Sequence, residues 1–462
     1  MKQKACFLGG GAVLALAFGG LLLASPAGAQ SLEEALAAAY TNNPELLAQR
    51  AEQRAVDEGV PQALANWRPK VTLSGDLART HTHLNTRTTT NRDQMRSPRS
   101  ADLVVTQPLF RGLRTAAGVA EAENDVLSQR AKVIAKEQDV LLAAATAYMG
   151  VVRDQAVLQL NINNEQVLRR QLEATRDRFR VGEITRTDVS QAEARLAGAT
   201  ADRIAAEGNL DTSRAEYQNV VGEAPRNLIQ PAAPTDLPDN LEAALAAART
   251  RHPDVVSAEF NVRSANDNIK SVRGELLPSL EVVGTLSRAW ESSTNDSQVT
   301  TGSVKLDLTV PIYQKGSVYS RLREAKIDAG KSRLTLDDAR RDQIQAAADA
   351  WETLQAAKAR IQSFNAQIKA SEIALEGVQR EATVGSRTVL DVLDAEQELL
   401  DAKVNLVRAQ RDEVVAAFEL KETAGILTSR DMKLPVQHYD PADYYNQIRM
   451  KLFGGDLPGG AE

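Results

Sequence analysis

Two histidines and a handful of carboxylates are the groups in this 462-residue chain whose types and spacing could do chemistry. His81 and His83 stand two apart and could offer two ligands to a metal, too few for a site of their own. Asp391 and Asp394 lie three apart, a spacing that sets both on one face of a helix. The remaining acids are spread along helical stretches, as solvated faces demand, so paired-carboxylate catalysis has no candidate. Beyond residue 29 the chain has no Gly-x-Ser-x-Gly, His-Glu-x-x-His, Cys-x-x-Cys or phosphate-cradling Gly-rich loop. Neither an enzyme nor a cofactor is expected.

The elements that position these acids occur twice. Val384-Gly385-Ser386-Arg387-Thr388 leads to Asp391, six residues after the glycine, and Val181-Gly182-Glu183-Ile184-Thr185 leads to Asp188 at the same spacing. In each, Val-Gly breaks a long apolar-periodic run and the acid opens the next. That is a helix–turn–helix hairpin, with Gly182 and Gly385 relieving the turn and the acid complementing the macrodipole.

The duplication extends along the chain. Leu32-Glu33-Glu34-Ala35-Leu36 returns as Leu241-Glu242-Ala243-Ala244-Leu245 at an offset of 209, with Pro44 matching Pro253. After the next loop the offset is 203, pairing Pro108 with Pro311, Tyr148 with Trp351 and Gly182 with Gly385. The expected organisation is a signal segment over 1–29, a first repeat over 30–230, a second over 231–430, and a C-terminal belt segment with a disordered tail over 431–462. A linker bearing Pro225, Pro231, Pro234 and Pro238 separates the repeats.

No proline occurs from Leu109 to Ala224 or from Ile312 to Leu434, and apolar residues recur there at steps of three and four. Long coiled-coil-like helices follow; one over Phe110–Arg180 would span ~105 Å at 1.5 Å per residue. Ahead of each lies alternating sequence, as in Val71-Thr72-Leu73-Ser74-Gly75 and Val304-Lys305-Leu306-Asp307-Leu308-Thr309-Val310. Two strand hairpins are expected, at about 70–109 and 279–311, closed by polar loops at Thr80–Ser100 and Trp290–Thr301. Each strand has the length and two-faced pattern of a tilted membrane β-strand. Four strands cannot close a barrel, and open edges in lipid leave backbone groups unpaired, so either the sheet lies outside a membrane or several chains pool their strands, and a secreted chain with long coiled-coil helices on the same plan favours pooling.

The N-terminus, with Lys2, Lys4, an apolar run from Ala12 to Leu23 and Ala27-Gly28-Ala29, reads as a secretory signal cut after Ala29. The only cysteine, Cys6, lies inside it. Without that segment, 53 basic residues face 61 acidic ones, a net −8 that disfavours nucleic acid.

In duplicate order and spacing, the Leu-Glu-x-Ala-Leu openings, Gln107-Pro108-Leu109-Phe110, Phe179-Arg180-Val181-Gly182 and the Val384–Ala395 stretch resemble the TolC-like outer-membrane factor (outer membrane efflux protein) family of Gram-negative bacteria. The resemblance implies a membrane β-barrel plus α-barrel. Three chains of four strands each would form a 12-stranded barrel in outer-membrane lipid and a 12-helix tunnel through the periplasm. It implies an exit duct for type I secretion or multidrug efflux, engaged by a periplasmic adaptor and an inner-membrane ABC or RND-type transporter. Thr187 and Asp188 match the family's gate-lock position and Arg387 its cationic partner, while Asp391 and Asp394 match the acidic entrance rings. Ala382 departs from the pattern, where the family has a tyrosine. The competing readings are a periplasmic coiled-coil adaptor and a structural rod.

Overall fold

A computed structural model of the chain describes residues 30–86 and 89–457. The signal segment expected over 1–29 lies outside the described residues, as does the end of the tail from 458.

The first repeat opens with α1 (Leu32–Asn42) and α2 (Pro44–Asp57), split by Asn43. The Asn43 side chain accepts from Glu45 N–H (2.9 Å) and Leu46 N–H (3.3 Å), and Pro44 occupies a helix start where its missing N–H costs nothing. After α3 (Gly59–Leu64) come the strands β1 (Lys70–Leu77), β2 (Thr80–Thr86), β3 (Thr89–Arg96) and β4 (Arg99–Arg111). The repeat ends with α4 (Arg114–Arg180, 67 residues) and α5 (Arg186–Val221). The second repeat runs α6 (Leu241–Arg251), α7 (Pro253–Gly274), β5 (Ser279–Trp290), β6 (Gln298–Thr309), α8 (Ser317–Thr383, 67 residues) and α9 (Val389–Thr423). A short α10 (Pro441–Ile448) follows.

Two expectations need correction. Thr80–Ser100 is not a loop: β2 and β3 form their own antiparallel hairpin above the main sheet. β-branched threonine favours extended backbone, but with polar residues on both faces the segment carries no alternation to read. The long helix begins at Arg114 rather than Phe110, because β4 runs on to Arg111 and absorbs Pro108 at a register shift, where a missing ladder donor is tolerated. Of the C-terminal tail, residues to 457 are described, with Lys451 Nζ donating to the Asp456 carbonyl at 2.6 Å; the remainder lies outside the described residues.

The main sheet is antiparallel in the order β1-β4-β5-β6. Its register sets Val71 opposite Val105, Leu73 opposite Leu103, Leu103 opposite Leu286 and Val282 opposite Leu306. One face is therefore apolar across all four strands, and the other carries Thr72, Ser74, Asp102, Thr285, Lys305 and Asp307. The apolar face is bare: Leu73 is 76% exposed, Val304 81% and Leu306 64%. Edges β1 and β6 have no partner strand among the described residues.

The main core lies far from the sheet, around the middle of α4. Tyr148 is fully buried there, its hydroxyl 2.6 Å from the Ile229 carbonyl and 2.9 Å from that of Gln30, and it receives Ile229 N–H (3.1 Å). Leu36, Leu141, Tyr217 and Phe418 pack into the same cluster. Among the described residues no helix is long and apolar enough to cross a membrane.

Candidate functional site

The ends of the two long hairpins are built alike. Gly182 and Gly385 both adopt φ +81°, where a side chain is strained, although a Cβ at either would meet nothing within 4 Å. Backbone conformation rather than space therefore calls for glycine. Each turn is followed by a reciprocal cap. Asp188 accepts Thr185 N–H at 2.8 Å while Thr185 Oγ1 accepts Asp188 N–H at 3.3 Å. Asp391 accepts Thr388 N–H at 2.9 Å, and Thr388 Oγ1 accepts Asp391 N–H at 3.3 Å. The Thr388 backbone donor, then its hydroxyl and the Arg387 charge, hold the Asp391 carboxyl below the usual range.

Beyond that shared frame the two ends differ. Arg387 stands where the first repeat has Ile184, and its Nε donates to Glu381 Oε2 at 2.9 Å. Glu381 raises the guanidinium pKa further. Asp394 ion-pairs with Arg195 on α5, joining the two hairpins of one chain. Within the chain, Asp188 and Arg387 are each held by these local partners; Thr187 is exposed on the first turn of α5. Ala382 supplies a carbonyl to the turn, accepting Gly385 N–H at 3.3 Å. Beneath the turns, Leu168, Leu172, Ala192, Ala199, Val389 and Leu393 form a small core shared by α4, α5 and α9.

Three residues at these hairpin ends escaped the sequence reading: Arg195, Glu381 and Glu396. One signal was available for Arg195, which falls opposite Glu398 at the 203-residue offset, a charge reversal between repeats. Glu396 carries another. Its counterpart Glu193 pairs with Arg176 at 2.6 Å, but the residue matching Arg176 is Gln379. Glu396 is consequently buried with Oε2 unpartnered, and burial pushes its carboxyl up, the Gln379 hydrogen bond opposing only in part.

A raised folded-state pKa means that the contribution of Glu396 to stability is complete in acid, below the unfolded carboxyl value, and is lost as pH rises through the folded one. Glu396→Gln is therefore expected to stabilise the chain by about 1 kcal/mol at pH 7, with little gain at pH 4. Thermal unfolding at the two pH values measures it, and equal shifts at both would contradict the burial argument.

The histidines belong elsewhere. His83 Nδ1 contacts Asp93 across the β2–β3 hairpin, and His81 Nε2 lies 3.9 Å from the same carboxylate. Among the described residues no group of three or more His, Cys, Asp or Glu is arranged to hold a metal ion.

The sequence profile of the family described as "Outer membrane efflux protein" matches residues 35–223 and 244–425. The chain is 34% identical over 450 residues to outer membrane efflux protein BepC of Brucella suis, covering 97% of each chain. It is 26% identical over 439 residues to the alkaline protease secretion protein AprF of Pseudomonas aeruginosa, covering 91% of this chain and 89% of that protein. Its fold matches the Campylobacter jejuni CmeC outer membrane channel with a TM-score of 0.77 at 15% identity, over 85% of each chain.

Proposed function

The chain belongs to the outer membrane efflux protein family, and from that premise we propose that it is the exit duct of a type I secretion or multidrug efflux system. It resides in the outer membrane. The observation that carries the reading is the open four-stranded sheet, with one bare apolar face and two edges unpaired among the described residues. In lipid each unpaired backbone group costs several kcal/mol, so the edges must close on other strands. Pairing β6 of one chain with β1 of the next closes the sheet. Two chains would give eight strands, whose interior side chains fill, whereas three give twelve and leave a lumen. The face with Glu281, Lys305 and Asp307 then lines the lumen, and the apolar band meets outer-membrane lipid.

The paired helices α4/α5 and α8/α9 from three chains continue the duct as a 12-helix tunnel into the periplasm. A periplasmic adaptor and an inner-membrane ABC or RND-type transporter dock there and open it. A soluble adaptor, the rival reading, would bury the apolar face that this sheet leaves bare. Gel electrophoresis of outer-membrane fractions tests the assembly: a heat-dissociable species of three chains is expected, and a periplasmic monomer would overturn it.

In that trimer the hairpin ends form the periplasmic entrance. Thr187 and Asp188 of one chain face Arg387 of a neighbour as the lock, and Asp391 and Asp394 form two stacked acidic rings that attract cations. Asp394→Asn removes three charges from one ring and releases Arg195 from its pair. Block of the conducting trimer by multivalent cations is expected to weaken about tenfold or more. An unaltered block would remove Asp394 from the throat.

A further inference from the structure

The C-terminal segment folds over α1 and α2 and leaves a cleft of about 540 Å³ between them. One wall is α2, where Arg50 and Arg54 stand one turn apart. The Arg50 guanidinium is held between two rings, 4.4 Å from the centroid of Tyr40 and 5.2 Å from that of Tyr439. It places one N–H on the Tyr40 carbonyl at 3.4 Å, which leaves four donors of its planar fork. Tyr439 is fixed in turn: its N–H donates to the Tyr40 hydroxyl (2.9 Å), and its own hydroxyl donates to Gln53 Oε1 (2.8 Å). Among the described residues no carboxylate oxygen lies within 4.0 Å of a nitrogen of the Arg50 or Arg54 side chain.

The facing wall is the start of α10. Asp440 uses Oδ1 on Ala442 N–H (2.8 Å), and Asp443 Oδ1 accepts from Gln447 (3.2 Å), so each keeps an oxygen for another donor. Two cations thus face two carboxylates across aromatic walls without bridging directly. A ligand with both charges completes such an arrangement. A guanidinium fork suits a carboxylate, the aspartates suit an ammonium, and the tyrosine rings cover the apolar stem between. A phosphate would meet the aspartates unfavourably. We propose that this cleft binds the free carboxylate and ammonium groups of an amino acid or short peptide.

Titration calorimetry of the full-length protein with tri-alanine, its C-terminal amide, its N-acetyl form and free alanine tests this. Saturable binding of tri-alanine at one per chain is expected, with the amide about tenfold weaker or worse. Arg54→Gln, which leaves the Arg50 stack in place, should reduce tri-alanine to the level of the amide. Asp443→Asn should weaken tri-alanine but not its N-acetyl form. Free alanine binding as tightly as tri-alanine assigns the site to amino acids, and weaker binding assigns it to peptide ends. Equal binding of acid and amide, or no saturable heat from either, overturns the proposal. Neither result bears on the duct, which conductance reports separately.

Discussion

Leu306→Arg is expected to abolish the heat-dissociable trimer, whereas Asp307→Arg, one residue along, leaves it intact. Leu306 lies on edge strand β6, opposite Val282, on the apolar face and 64% exposed. In the proposed closed barrel that face would meet lipid, where an arginine near the midplane costs roughly 2–4 kcal/mol. Three copies bring roughly 6–12 kcal/mol, comparable with the entire stability of a typical domain. Asp307 points to the other face, where it receives Lys305 Nζ at 3.0 Å in an exposed pair. Breaking that pair costs about 0–1 kcal/mol, and the new cation sits in the watery lumen. The trimer fraction recovered from outer membranes, run on gels without heating, measures both variants. Equal loss, or equal survival, would mean that the faces have been assigned wrongly.

That contrast was visible in the amino-acid sequence, because the signal is local. A strand repeats every two residues, so Val304, Leu306 and Leu308 announce a face without any knowledge of their neighbours. The long helices were legible for a similar reason. Each proline-free run contains one helix of 67 residues and a shorter partner, separated at Gly182 or Gly385. The illegible features depend on contacts between distant segments or on chemistry without periodicity. Asp394 meets Arg195 across 199 positions, and only the packing of α5 beside α9 brings them together. Tyr439 reaches Gln53 from 386 positions away, so an aromatic tail could be noticed but not seated. The β2–β3 hairpin was hidden because threonine and charged residues occupy both of its faces. Arg387 was readable as a cation at a turn, but its partner Glu381, on the preceding helix, was not.

That last partner decides what to expect of the entrance. Arg387→Ala should raise the single-channel conductance of the trimer in planar bilayers. The proposed lock requires each Arg387 to reach a neighbouring Asp188, yet within its own chain the guanidinium already donates to Glu381, in a pair about half exposed on both sides. Exposed ties of this kind contribute about 0–1 kcal/mol each. Three acting together hold the closed form by no more than ~3 kcal/mol, and a loss of 1.4 kcal/mol already shifts the open-to-closed ratio tenfold. Ala382 adds no side-chain bulk to resist that shift. Glu381→Gln separates the two roles of the arginine. If Glu381 competes with Asp188 for the guanidinium, removing its charge releases Arg387 to the neighbour and conductance falls below wild type. If Glu381 instead positions the arginine for the lock, Glu381→Gln opens the duct as Arg387→Ala does. Should Arg387→Ala conduct like wild type, the lock has no part in closing the entrance, whichever residue holds the guanidinium.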